Sequence, residues 1–229
     1  MRGVVTFDTF QAVIEQAMTD GRTPDAIVAT GDLVQDETQA GYELFKSVLA
    51  PLGIPILCIP GNHDDPNIMA KVLNTAPFQV NGSYQVHNWS LIMLSSFAHG
   101  EVGGYISAKE LERLSVTLHE HRSLHTLVCL HHQPVPMGSR WLDSVGLHNP
   151  QDLLNIIDAA PQVRALLWGH VHQVSDQQRN GIRFMSTPST CSQFRPHSDD
   201  FALDDRPPGF RWLELLPDGT INSEVKWLD

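Results

Sequence analysis

Four short, mostly apolar runs, each broken at its carboxyl end by polar residues able to bind a metal, constrain this chain more than any other feature. They are 26–29 before Thr30-Gly31-Asp32, 55–59 before Pro60-Gly61-Asn62-His63-Asp64, 126–130 before His131-His132, and 163–168 before Gly169-His170-Val171-His172. Runs of this length that are apolar at successive rather than alternate positions read as strands buried on both faces. Helical patterns follow the first two. Tyr42, Phe45, Val48, Leu49 and Leu52 form one, and the stretch from Ile68 to Leu73 forms the other. Strand, polar loop and helix in repetition predict parallel strands in a layered α/β fold.

The same reading organises the rest of the chain. Phe10, Val13, Ile14, Ala17 and Met18 share one face of an opening helix over 6–20, which Gly21 stops. Two strands are expected over 84–89 and 91–95, with the turn at 88–90. Ser107 and Glu110 have capping-box spacing ahead of Leu111, Leu114 and Leu118, so a helix is expected from Ser107, and another over 151–158. After His172 the pattern is weakly alternating and β-like, over 173–179, 182–187, 211–215 and 221–227. No internal repeat interrupts this order. The 229 residues are expected to form a single domain, with a motif core over 30–172 and a β-rich part over 173–229.

Composition narrows the class of partner. The formal charge of −11 comes without a basic stripe interleaved with aromatics, which disfavours nucleic-acid polymers. Cys58, Cys129 and Cys191 are odd in number, widely separated and partly set in apolar runs, as buried thiols in a reducing compartment are. No apolar run approaches the roughly 20 residues that span a bilayer, and no signal core opens the chain. A small-molecule substrate, no membrane and a cytoplasmic address are the expectations; nothing bears on oligomeric state.

Each polar motif alone has a plainer reading, as a turn, a helix cap or a packed histidine. Together they do not. In open α/β sheets the carboxyl ends of the strands border the ligand crevice, so groups distant in sequence converge there. His170 and His172, two apart, would share one face of a strand. A carboxylate can bridge two cations while amide oxygen and neutral imidazole complete shells suited to Mn, Fe or Zn. Two such cations about 3.5–4 Å apart clamp phosphoryl oxygens, which is the chemistry of phosphate-ester hydrolysis. The other histidines, among them His87, His99, His119, His121, His125, His148 and His197, read as surface or packing residues.

In this order, GD, GNHD, a strand ending in His, and GHVH resemble the signature of the calcineurin-like metallophosphoesterases over residues 30–172. ATGDLVQD, PGNHDD, LHHQPVPMGSRWLD, GHVHQ and TPSTCSQFRPH further resemble the bacterial cyclic 3′,5′-AMP phosphodiesterases. The resemblance implies a layered α/β/β/α sandwich with helices outside. It implies two divalent metals, Fe or Mn foremost with Zn or Co as alternatives, and attack of a metal-bound hydroxide on the phosphorus of cyclic AMP. Carried onto this chain, Asp32 bridges the metals, Asn62, His131 and His170 complete the second site, and His172 belongs to the first. His131 is taken over His132 because it directly ends its strand. Asn62, His63 and His172 contact substrate; His63 stabilises the phosphate or protonates the leaving 3′-oxygen, with Asp64 orienting its ring. Residues 141–143 and 187–196 are implied to lie near the nucleotide. A phosphatase or diesterase for another small ester is the neighbouring possibility.

One family feature has no counterpart. The family opens on a strand bearing Asp-x-His, and here the chain opens at Met1-Arg2-Gly3, with Asp8 inside the expected helix. The expectation is an absent first strand, exposed apolar neighbours, and one firm metal beside a weakened site held by Asp32 and His172 alone, which also leaves open an inactive nucleotide- or metal-binding relative.

Overall fold

The computed structural model describes Gly3 and residues 5–228. Its first elements are helix α1 (Thr6–Thr19), strand β1 (Ile27–Ala29), helix α2 (Gln39–Leu49) and strand β2 (Ile56–Cys58). Helix α3 (Pro66–Val72) and strand β3 (Phe78–Val80) follow, and β1, β2 and β3 pair in that order as a parallel sheet. Next come β4 (Gly82–Val86), β5 (Trp89–Met93), α4 (Ala108–Glu120), β6 (His125–Leu130), α5 (Arg140–Asp143), α6 (Pro150–Asp158) and β7 (Val163–Trp168). The chain finishes through β8 (Asp176–Arg179), β9 (Ile182–Ser186), β10 (Gln193–Phe194), β11 (Leu203–Asp204), β12 (Gly209–Leu215) and β13 (Ile221–Trp227). A six-stranded sheet runs β4-β5-β6-β7-β9-β8, parallel through its middle and antiparallel at both ends.

Side-chain alternation along these strands builds the layers. In β2 and just beyond, Ile56 and Cys58 face a core shared with Tyr42, Phe45 and Met69 of the helices, while Leu57 and Ile59 face the second sheet. In that second sheet Leu91, Met93, Leu127 and Cys129 meet them, whereas Ile92, Val128 and Leu166 turn outward under Leu114, Leu118 and Ile157. Helices, sheet, sheet, helices is the resulting order, as the resemblance implies. No helix among the described residues is long and apolar enough to cross a membrane, and all three cysteines are free.

Several local expectations need correction. The β4–β5 turn is His87-Asn88, since Val86 pairs with Trp89, and Trp89 belongs to the second strand, where it is buried. Strand β3 carried no sequence signal: it is three residues long and wins its conformation from parallel pairing with β2. Ser107 caps α4 by accepting from Glu110 N at 3.2 Å, but the Glu110 carboxylate pairs with Arg113 and accepts from Ser95 N instead of closing the box. The strand expected over 173–179 starts only at Asp176, because Gln173 is buried and accepts the Ser186 hydroxyl through its carbonyl.

Candidate metal centre

The loops after β1, β2, β6 and β7 converge at one end of the two sheets. His131, at the end of β6, is 1% exposed, and its Nδ1–H donates to Thr30 O at 2.7 Å, a bond reaching across to the loop after β1. That bond turns Nε2 toward three other groups: Asp32 Oδ2 at 3.3 Å, Asn62 Oδ1 at 3.3 Å and His170 Nδ1 at 3.2 Å. Donors bound about 2.1 Å from a common cation stand about 3.0–3.4 Å apart in cis or tetrahedral positions, so these spacings are those of ligands sharing an ion. The four residues therefore fit a divalent cation, with oxygen and imidazole donors and no thiolate.

His132 is close enough to count with His131 and His170 as a histidine cluster, but its ring is committed. Its Nδ1 lies 2.8 Å from Ser96 Oγ and its Nε2 donates to Val102 O at 3.1 Å, which leaves no lone pair for an ion.

The backbone is unusual where the donors are. Asp32, His170 and His172 adopt φ of 54°, 61° and 47°, a left-handed region that residues other than glycine enter at a cost of about 1–3 kcal/mol. His170 and His172 consequently lie beyond β7, His170 in a bend, and come together through loop geometry; the expectation that strand pleating places them on one face is incorrect. Gly31 and Gly61 permit the approach: a Cβ on Gly31 would sit 2.9 Å from Gly61 Cα and would overlap His131 Nδ1, and one on Gly61 would overlap Asp32 Oδ1.

His172 donates Nδ1–H to Ser192 O at 2.8 Å and stacks on Phe194 at 4.2 Å between ring centroids, leaving Nε2 as its free donor atom. Phe194 in turn packs edge-on against Trp141, so the segments 141–143 and 187–196 do meet beside the centre. His63 donates its backbone N–H to Asp32 Oδ1 at 2.9 Å. Its ring partner is Gln35, not Asp64. The Asp64 carboxylate accepts from Gly61 N at 2.8 Å, from Leu33 N at 3.2 Å and from the Tyr42 hydroxyl at 2.9 Å, and so bolts the two metal-bearing loops together from behind. Sequence reasoning missed Thr30, Gln35, Tyr42 and Ser192, whose roles depend on partners 20 to 101 residues away.

Electrostatics match the geometry. Burial alone would raise the Asp32 pKa, but the adjacent His131 overrides it and holds the carboxylate well below its usual range. His131 responds in kind: burial opposes its charge, Asp32 more than offsets that, and the net shift is upward. Burial pushes His170 down to about 3 and His172 down to about 4. Both are then neutral near pH 7, the form a metal ligand needs.

A cavity of about 1230 Å³ runs from α1 and β1 to this centre. Apolar side chains such as Phe10, Ile14, Val28 and Leu213 line it together with Asn62, His63, His170 and His172. Strand β1, at the edge of its sheet and only half-buried, lies along it.

Known proteins are similar to this chain in sequence and in fold. The chain is 38% identical over 227 residues to the 3′,5′-cyclic adenosine monophosphate phosphodiesterase CpdA of Pseudomonas aeruginosa, covering 99% of this chain and 83% of that protein. It is 40% identical to CpdA of Escherichia coli, covering 97% and 82%, and 37% identical to a 3′,5′-cyclic-nucleotide phosphodiesterase of Nostoc, covering 99% and 85%. A dimetal phosphatase from Danio rerio has the same fold at 12% identity, with a TM-score of 0.64 over 97% of this chain and 89% of that one. The calcineurin-like phosphoesterase profile matches residues 3–174, which hold all four donor loops. With those loops converging as they do and relatives this similar over nearly its whole length, the chain belongs to the calcineurin-like phosphoesterase family.

Proposed function

We propose that this chain is a metal-dependent phosphodiesterase that hydrolyses cyclic 3′,5′-AMP to 5′-AMP. The names of its relatives support the substrate. One observation supports the chemistry: Asp32 Oδ2, Asn62 Oδ1 and His170 Nδ1 all stand 3.2–3.3 Å from His131 Nε2, the separations of donors around one cation.

In this reading Asp32, Asn62, His131 and His170 hold one divalent ion, and Asp32 with His172 holds a second. Iron and manganese suit these donors best, with zinc or cobalt as alternatives. Such ions, when bound, neutralise the phosphoryl oxygens and lower the pKa of the attacking water. The protein's own contribution is placement. Asn62, His63 and His172 line the cavity where the phosphodiester would sit, and His63 Nε2, free of any protein partner among the described residues, would hydrogen-bond it. Asp64 acts behind the site, holding the loops that carry Asp32 and Asn62.

The two ions are held unequally. His172 has Asp32 as its one fellow donor among the expected ligands, so we propose one firm ion and one weak one. That inequality also favours a second reading, a chain that binds a cation and nucleotide with little turnover. Metal analysis alongside hydrolysis of cyclic AMP, cyclic GMP and bis(4-nitrophenyl) phosphate with added Mn separates the readings. Turnover led by cyclic AMP supports the proposal, turnover of the aryl diester alone points to a different ester, and a bound cation without turnover establishes the binder. The three free thiols support a cytoplasmic setting, and the shared two-sheet packing supports one domain.

A further inference from the structure

The loop after β1 grips His63 twice. Asp32 takes its backbone N–H, and Gln35, three residues on, brings its side-chain Nε2 to 2.9 Å from the His63 ring Nδ1. The Gln35 amide has no other hydrogen-bond partner among the described residues, and both side chains line the cavity beside Asn62 and His172. The Asp64 carboxylate, next in sequence to His63, is occupied by Gly61 N, Leu33 N and Tyr42, which leaves Gln35 as the group that orients the imidazole.

The chemistry of that contact is directional. An amide NH2 only donates, so facing Nδ1 it occupies that nitrogen's lone pair and leaves the ring hydrogen on Nε2. A ring held at one nitrogen by a partner of defined polarity presents the other nitrogen in a defined role. We propose that Gln35 is a positioning residue for phosphodiester hydrolysis, its amide holding the His63 ring so that Nε2–H donates to the phosphoryl group. This rests on the reading of the site as a phosphodiesterase centre. As the water oxygen bonds to phosphorus and the P–O3′ bond breaks, negative charge grows on the phosphoryl and departing oxygens. The Nε2–H hydrogen bond meets that charge. The proton that completes the 3′-hydroxyl is the one released by the attacking water, so cyclic AMP and water balance as 5′-AMP.

The test uses Gln35→Leu, close in volume and without an amide, beside His63→Ala. Steady-state kinetics and cation content are measured for each, with ¹⁵N-histidine spectra of the Zn-loaded protein, the His63 signals being assigned by their loss in His63→Ala. The expected result for Gln35→Leu is a kcat about 10- to 100-fold lower, the scale of a misplaced group, with KM within about twofold and cation content unchanged. In the parent protein His63 Nδ1 carries no hydrogen and Nε2 does, and Gln35→Leu loses that single tautomer. A parent spectrum with the hydrogen on Nδ1 overturns the proposal, as does parental kcat in Gln35→Leu while His63→Ala is inactive. Absence of cyclic-nucleotide turnover in the parent protein would count against the phosphodiesterase reading, and the spectra would then decide the Gln35–His63 arrangement by themselves.

Discussion

Tyr42 donates its hydroxyl to the Asp64 carboxylate at 2.9 Å, and the same oxygen accepts from Asp65 N at 2.9 Å, so one side chain of α2 ties down the loop that carries Asn62 and His63. Both residues are buried, and each loss would leave a polar group without a partner. Tyr42→Phe is expected to destabilise the fold by about 1–3 kcal/mol in urea unfolding. A change within about 0.5 kcal/mol would mean that water replaces the hydroxyl and that the bond holds nothing.

Asp64 also predicts a pH dependence. Burial, more than the nearby Asp32 charge, pushes its pKa up to about 6, against hydrogen bonds from Gly61, Tyr42 and Leu33 that pull the other way. A carboxyl that binds its proton more tightly folded than unfolded stabilises the fold at low pH, and that contribution is lost as pH rises from about 4 to about 6. The stability of the metal-free protein relative to Asp64→Asn should therefore fall across that window, by on the order of 2–3 kcal/mol, and level off above it. A difference that is flat, or that rises with pH, would show the carboxyl ionised throughout.

Cation binding should displace a proton from His131. Asp32 raises the His131 pKa in the metal-free site, and Nε2 must be deprotonated to ligate, so affinity for Mn or Zn is expected to weaken as pH falls from 8 to 6. Isothermal titration in buffers of different ionisation enthalpy counts the released proton. His131→Ala should abolish the firm site, and retention of one cation per chain by that variant would place the site elsewhere.

Gly61 makes a steric prediction. A methyl group there would overlap Asp32 Oδ1 and N and lie 2.7 Å from His131 Cε1, with the unyielding backbone among its neighbours. Gly61→Ala should reduce cation affinity at least 10-fold, since a misplaced donor weakens the whole shell. Unchanged affinity would mean that the loops shift without moving the donors.

Legibility from sequence tracked the length and strength of the local pattern. The runs over 163–168 and 221–227 are strands with those bounds: the first is buried along nearly its whole length, and the second is held by antiparallel pairing with β12 over all seven residues. The three residues of β3 follow Pro77 with no periodicity to mark them, and only the parallel register with β2 makes them a strand. The site divides likewise. Asp32, Asn62, His131 and His170 were visible as polar residues at strand ends and do converge, whereas the pairing of His63 with Gln35 rather than its neighbour Asp64 was not visible, because Asp64 turns away toward Tyr42.

Local sequence by itself determined which segments become buried strands and which donor types end them, since apolar runs and the residues that break them act over a few neighbours. Tertiary structure alone decided which nitrogen of each histidine faces the site. Thr30 O and Ser192 O take the Nδ1 hydrogens of His131 and His172 from loops on other strands, and a ring nitrogen's role is set by the partner the opposite nitrogen finds.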